Sequence, residues 1–100
     1  MSHENVYDIG DVVRMSVAFT DAGGAAVDPG AVVFKLLDPA GVVTTFSGGG
    51  VVKDSVGNYH ADATIAASGV HVYRAEGTGA NAAAAENRFR VRRSRVLEAA

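Results

Sequence analysis

The stretch Asp11-Val-Val-Arg-Met-Ser-Val-Ala-Phe-Thr20 alternates apolar side chains with polar or small ones at a period of two. Val13, Met15, Val17 and Phe19 fall on one side of an extended chain. Successive side chains of a β-strand point to opposite faces of its sheet. The stretch therefore predicts a β-strand with one face in a hydrophobic core and the other in water.

Similar patterns recur along the chain, separated by turn-forming residues. Residues 31–37 and 42–46 flank the turn Asp38-Pro-Ala-Gly41 and predict a hairpin. Further strands are predicted at residues 51–53, 58–65, 70–76 and 88–91. The alanine-rich residues 80–86 are too few to form a stable helix by propensity alone, so we predict a loop or one helical turn there. About seven short strands without long helices indicate an all-β sandwich or small barrel.

The length and composition limit the domain organisation. The chain has 100 residues, 48% of them hydrophobic, and no cysteine. A chain of this length supports one hydrophobic core, so we predict a single domain over residues 1–100. Because a small domain without disulfides gains stability from its core or from neighbouring copies, self-association is a further expectation.

The two ends are expected to differ from the core. Residues 1–6 are predicted to form a flexible arm and residues 94–100 a C-terminal tail. Tyr7, beside the arm, is a candidate contact to a neighbouring subunit, although fraying is the usual behaviour of a terminus. Since the N-terminus has no signal-peptide pattern and no apolar run approaches the length of a membrane helix, we expect a soluble chain made in the cytoplasm, with no membrane partner.

Charge is distributed unevenly along the chain. The net charge is −2, yet residues 1–62 carry eight acidic and three basic side chains, and residues 88–95 carry five arginines and no acid. A net acidic chain argues against general nucleic-acid binding. The basic segment leaves room for a local acidic partner.

The arginines near the C-terminus are the main candidate binding residues. Arg88, Arg90 and Arg92 share one face of the last predicted strand, and Arg93 and Arg95 continue beyond it. They form either a solvated face that keeps an edge strand from pairing with other chains, or an interface arm that pairs with acidic surface on an adjacent subunit. Nucleic acid is the least favoured partner, because no stacking aromatic residues are interleaved on their face.

No residue set indicates catalysis, and we predict a non-enzymatic protein without catalytic residues, metal or cofactor. The histidines lack an accompanying nucleophile motif. His60 and Asp62 share a strand face and would bind a divalent metal if His71 came across from a neighbouring strand, but an exposed polar strand face is the favoured interpretation. The aspartates at turns are scattered and are better explained as turn formers than as calcium ligands; they are Asp21, Asp28, Asp38 and Asp54.

The order of several short motifs extends over nearly the whole chain. They are Tyr7-Asp-Ile-Gly-Asp-Val-Val-Arg14, Phe19-Thr-Asp-Ala-Gly23, Leu37-Asp-Pro-Ala-Gly41, Asp54-Ser-Val-Gly-Asn-Tyr-His60, Gly69-Val-His-Val-Tyr-Arg-Ala-Glu-Gly77 and Phe89-Arg-Val91. The sequence resembles small immunoglobulin-like structural proteins encoded by tailed bacteriophages and prophages. The resemblance implies an immunoglobulin-like β-sandwich of antiparallel strands, in which Tyr59 and Tyr73 occupy the family's aromatic positions. The tryptophan and cysteine pair of antibody-type domains are absent, which excludes that branch.

The resemblance further implies a role in the virion. Proteins of this kind are present in many copies and bind capsid or head–tail subunits, so the expected function is that of a capsid decoration or connector protein. The alternative is a bacterial surface or carbohydrate-binding module, for which β-sandwiches are frequent hosts. Sugar sites generally stack their ligands on exposed aromatic rings, and this chain has no tryptophan and seven aromatic residues in all.

Overall fold

A computed structural model of the chain describes residues 6–79 and 82–93, which form eight β-strands. The strands are β1 (Val6–Asp8), β2 (Val12–Ala18), β3 (Ala31–Leu37), β4 (Val43–Phe46), β5 (Val52–Ser55), β6 (Asn58–Thr64), β7 (Gly69–Thr78) and β8 (Ala83–Arg92). One short 3-10 turn, Gly48–Gly50, connects β4 to β5. The prediction of an all-β fold is confirmed.

The strands form two sheets. The five-stranded sheet has the order β1-β8-β7-β3-β4, and the three-stranded sheet has the order β2-β6-β5. Neighbouring strands are antiparallel, except that β1 runs parallel to β8. The pairs β3–β4, β5–β6 and β7–β8 are hairpins, whereas the other connections cross between sheets. Each sheet therefore supplies one side of the same core.

The core consists of the alternate residues that the sequence pattern directed inward. Val13 and Met15 come from the three-stranded sheet, and Phe34 and Phe89 come from the five-stranded sheet. Phe34 and Met15 are completely buried. Because these side chains belong to one cluster, the two sheets depend on each other for their stability.

The prediction of a loop or helical turn at residues 80–86 is wrong from Ala83 onward. β8 begins at Ala83, which lies opposite Gly77 of β7, and Ala85 lies opposite Ala75. This pairing satisfies the backbone N–H and C=O groups that face β7, which outweighs the small intrinsic helix preference of alanine. Residues 80 and 81 lie outside the described part of the chain.

Part of the predicted N-terminal arm belongs to the five-stranded sheet. Val6 lies in β1 and pairs with Arg90 of β8. β1 is the strand that the sequence patterns did not predict, because three residues are too few for a recognisable alternation. Residues 1–5 and 94–100, the rest of the predicted arm and the predicted tail, lie outside the described residues.

Asp28 joins the β2–β3 connection to the turn between β5 and β6. Its carboxylate accepts hydrogen bonds from Lys53 Nζ (2.7 Å), the Gly57 N–H (2.8 Å) and the Tyr59 hydroxyl (2.9 Å). The bond from Lys53 is the main reason that the pKa of Asp28 is lowered to about 2, followed by the bond from Gly57. Gly57 has φ of +78°, and a Cβ there would lie 2.6 Å from the Phe19 carbonyl oxygen, so this position requires glycine.

Two other aspartates stabilise their own turns, as the sequence predicts. Asp38 Oδ1 accepts hydrogen bonds from the backbone N–H groups of Ala40 and Val42. Asp21 accepts two backbone bonds in the same way within its own turn. These oxygens are therefore used within the fold, as is typical of aspartate in turns.

Candidate functional site

The surface of the five-stranded sheet that faces away from the core carries three of the candidate arginines. In β8, Phe89 and Val91 are buried, whereas Arg88, Arg90 and Arg92 are exposed. The strand register places every second residue of β1, β7, β3 and β4 on the same side. We call this surface the outer face.

Apolar side chains run across the outer face from β1 to β4; those of β7, β3 and β4 are neighbours, and Arg90 of β8 separates them from Val6 of β1. We call this group the apolar stripe, and its members are Val6, Val70, Val72, Leu37 and Val43. The exposed fraction is 44% for Val6, 49% for Val70, 40% for Leu37 and 54% for Val43. Single exposed apolar residues are ordinary, but a contiguous group at the surface is typical of an interaction site.

Two arginines lie within the apolar stripe. Arg90 stands between Val6 of β1 and Val70 of β7, and Arg88 stands opposite Val72 of β7. The cross-strand neighbours of both arginines are therefore aliphatic. The methylene groups of an arginine side chain lie readily along such neighbours while its guanidinium group stays accessible.

Ion pairs border the apolar stripe on both sides. On one side, Arg92 forms a two-pronged pair with Asp8, with N–O distances of 2.9 and 3.0 Å. On the other side, Glu76 binds Arg74 (2.7 Å) and Lys35 (3.1 Å). Hydrogen bonds from Arg74 and then Lys35 lower the pKa of Glu76. The carboxylates of the outer face are thus engaged with cations outside the stripe.

The outer face has more cationic than acidic groups. Of the described residues, five cationic side chains and three acidic ones lie on it, which gives them a net charge of +2 on a chain whose total is −2. Glu86 lies on the same face as Arg88, but its carboxylate binds Arg74 at 3.2 Å. Among the described residues, no ion pair of Arg88 is found. Arg88 and Arg90, the two cations inside the apolar stripe, therefore lie on a face whose described charges are net positive.

The other predicted binding residues lie elsewhere. Tyr7 is partly buried and packs edge-on against Phe89, with ring centroids 5.5 Å apart. Arg93 is exposed directly after β8, and Arg95 lies outside the described residues. The interpretation of the arginines as protection of an edge strand is wrong for Arg90 and Arg92, because β1 pairs with β8 there.

The sequence interpretation missed the apolar stripe, although a signal for it is present. After its first residue, β7 continues Val70-His-Val-Tyr73, with large residues on both faces of the strand. Leu36 and Leu37 at the end of β3 show the same feature. A strand with apolar residues on both faces is typical of burial on both sides, and here one of those sides is exposed.

The three residues considered for a metal site are not brought together. His60 lies on the surface of the three-stranded sheet, where Nδ1 is hydrogen-bonded to Asp54 at 2.7 Å and Nε2 is 3.9 Å from Asp62. His71 lies in the five-stranded sheet, buried and stacked on Phe89 at 5.1 Å. Within residues 6–79 and 82–93, no group of three suitable side chains that could hold a metal is found.

The prediction of an exposed polar strand face is wrong for His60. Only 7% of this residue is exposed, even though it lies on the face directed away from the core. Ser16 lies opposite it in the β2–β6 register. A serine nucleophile is activated by a hydrogen bond to a base, but the imidazole of His60 contacts the carboxylates of Asp54 and Asp62.

A small cleft also opens between the two sheets where β3 and β6 end. Its volume is about 170 Å³, and Thr44, Thr64, Asp38 and His71 contribute its polar groups. The Asp38 carboxylate is held by its own turn, and His71 Nδ1 lies 3.3 Å from the Gly69 carbonyl oxygen. Since these groups serve the fold, the outer face is the stronger candidate site.

Within the described part of the chain, no helix is long and apolar enough to span a membrane. No protein-family model matches this sequence, and no curated protein shows significant similarity to it.

Proposed function

We propose that this chain is a non-enzymatic structural domain of the immunoglobulin-like type, which docks onto another protein through its outer face. In this proposal the protein is a virion component of a tailed bacteriophage, and its partner is a capsid or head–tail subunit. The observation that carries the proposal is the apolar stripe with Arg88 and Arg90 inside it.

The strand order supports the immunoglobulin-like assignment. When β1 to β8 are matched in chain order to strands A, B, C, C′, D, E, F and G, the sheet β2-β6-β5 corresponds to B-E-D. The order β8-β7-β3-β4 corresponds to G-F-C-C′. These are the strand neighbours of the immunoglobulin sandwich.

The chemistry of the outer face supports a protein partner. Protein interfaces combine an apolar centre with arginine, which stays charged and binds carboxylates through two parallel hydrogen bonds. Docking of an apolar surface would remove Val6, Val70, Leu37 and Val43 from water. Carboxylates on the partner would then meet Arg88 and Arg90. The expected partner surface is therefore apolar with a few acidic side chains.

The test is incorporation into particles of a phage whose genome carries the gene. Mass spectrometry of purified particles should find the wild-type protein, and an Arg88→Ser, Arg90→Ser double variant should be depleted. Arg14→Ser, which removes an exposed arginine from the other sheet, is the control and should be incorporated normally. Absence of the wild-type protein from the particles would refute the virion role, and normal incorporation of the double variant would refute docking through the outer face.

The carbohydrate-binding alternative has less support from the side chains. All seven aromatic residues of the chain lie in the described part, and each is buried or partly buried. A sugar-binding platform needs an accessible ring. Saturable binding of the purified protein to a glycan array would favour this alternative over the virion role.

A further inference from the structure

The strand β4 is an open edge of the five-stranded sheet, since it pairs with β3 on one side and with no other described strand. Open edges expose unpaired backbone groups, and soluble proteins usually protect them with charged residues, proline, bulges or very short strands. The four residues Val43-Thr-Thr-Phe46 contain neither charge nor proline. Val43 is also 54% exposed.

The other open edges in the described residues are protected. β1 has only three residues. β2 carries Arg14, and the part of β8 that extends beyond β1 carries Glu86 and Arg88. β5 contains Lys53 and Asp54, and its register with β6 shifts after Lys53. Among these edges, β4 therefore has the fewest features that prevent pairing with another strand.

The register of β4 shows which of its backbone groups are available. The Asp38 N–H donates to the Val42 carbonyl oxygen at 3.0 Å, just before β4. Hydrogen-bonded and non-hydrogen-bonded pairs alternate along an antiparallel ladder. Thr44 and Phe46 therefore direct their N–H and C=O groups toward β3. Val43 and Thr45 direct theirs away from β3, toward the open edge of the sheet.

We infer that β4 is a self-association site, at which two copies of the chain join their five-stranded sheets by antiparallel β4–β4 pairing. A two-fold axis at Thr44 places Val43 of each copy opposite Thr45 of the other. Each of these pairs exchanges two backbone hydrogen bonds, so the outward groups of both residues are satisfied. The pairing brings no charged residues of β4 together, whereas self-pairing of β2 or β5 would bring in Arg14 or Lys53. This inference does not depend on the partner proposed for the outer face.

Self-association is tested by sedimentation of the purified chain from micromolar to millimolar concentration. We expect a monomer–dimer equilibrium. Val43→Lys introduces a charge at the β4 edge and should raise the dissociation constant by about tenfold or more, because charged side chains on an edge strand oppose its pairing. Val12→Lys is the matched control, since Val12 is also exposed on an edge strand, β2 (63%, against 54% for Val43), and should leave the dimer unchanged.

A second variant removes the hydrogen bonds without adding charge. Thr45→Pro deletes an N–H group that points away from β3, so the β3–β4 ladder keeps its bonds while the dimer loses two of its four. Circular dichroism shows whether the Thr45→Pro variant folds. If this variant does not fold, the Val43→Lys variant alone tests self-association at β4.

Amide hydrogen exchange locates the contact directly. Protection of Val43 and Thr45 should increase with protein concentration, whereas protection of Thr44 and Phe46 should not change. A wild-type chain that stays monomeric at millimolar concentration would overturn the inference, even if another protein adds a strand at β4. A dimer that Val43→Lys leaves intact would also overturn it. Neither result affects the outcome expected for incorporation of the Arg88→Ser, Arg90→Ser variant into phage particles.

Discussion

The outer surfaces of the two sheets carry similar side chains in different arrangements. On the three-stranded sheet, Arg14 lies opposite Asp62 and binds its carboxylate at 3.0 Å, while His60 is bound to Asp54. The hydrogen bond from Arg14 is the main cause of the lowered pKa of Asp62. This surface provides partners for its own charges.

On the five-stranded sheet, the ion pairs of Arg92 with Asp8 and of Glu76 with Arg74 and Lys35 lie at the borders of the apolar stripe. Within the stripe, Arg88 and Arg90 have valines as cross-strand neighbours. Among the described residues Arg88 has no ion pair, so a carboxylate of a partner would not have to displace an existing one. Position within the sheet, and not the number of arginines, therefore distinguishes the candidate docking surface.

The largest expected effect comes from the core that both sheets share. Phe34→Ala removes a completely buried ring and should lower the free energy of unfolding by about 3–5 kcal/mol. Val70→Ala, on the outer face of the same sheet, should lower it by less than about 0.5 kcal/mol. Urea unfolding of both variants measures the difference. Equal losses would contradict the assignment of the two faces.

A smaller effect is expected at Gly57, in the turn between β5 and β6, which packs against the β2–β3 connection. Gly57→Ala places a Cβ 2.6 Å from the Phe19 carbonyl oxygen at φ of +78°. It should lower the free energy of unfolding by about 2–3 kcal/mol. Gly24→Ala is the matched control, because Gly24 has φ of +86° but no atom within 4 Å of an added Cβ. It should lower the free energy by only about 1 kcal/mol. Thermal or urea unfolding that ranks the two variants in the opposite order would refute the close approach at Gly57.

The hydrogen bonds accepted by the Asp28 carboxylate should make the stability of the fold depend on pH in the acidic range. Because the pKa of Asp28 is lowered from 3.8 to about 2, its ionised form stabilises the folded state fully above 3.8, and this contribution is lost as the pH falls toward about 2. Lys53→Met removes the main cause and should raise the pKa of Asp28, as followed by NMR titration of the carboxyl carbon. Asp28→Asn should reduce the acid-induced loss of stability in urea unfolding over this range. An unchanged pKa in the Lys53 variant would contradict the assigned cause.

The smallest effect on folding is expected on the outer face itself. Arg88→Ser with Arg90→Ser should leave the unfolding midpoint unchanged, because exposed side chains contribute little to stability. The same double variant is expected to lose virion incorporation. A large loss of stability would assign these arginines to the fold and would remove the contrast between the two sheets.

Much of the fold follows from local pattern. The alternation of β2, β3 and β6 correctly predicts the strands and their inward residues, because a strand with one buried face imposes a period of two. The pattern failed for β1 because three residues are too few to show an alternation, and for Ala83–Glu86 because alanine carries no distinctive signal. His60 was predicted to be exposed because its own strand gives no sign of Asp54, which binds it from the neighbouring strand β5.

The candidate site likewise combines features that follow from local sequence pattern with features that depend on strand pairing. The spacing of Arg88, Arg90 and Arg92 within one strand is enough to place them on one face. The alternation and the turn residues likewise predict the apolar core positions and the turns. Strand pairing in the folded protein is what brings Asp8 to Arg92, places Arg88 and Arg90 among valines and leaves β4 at an open edge. Those features depend on which strands become neighbours, and strand order arises from the burial of the whole core and not from any single segment.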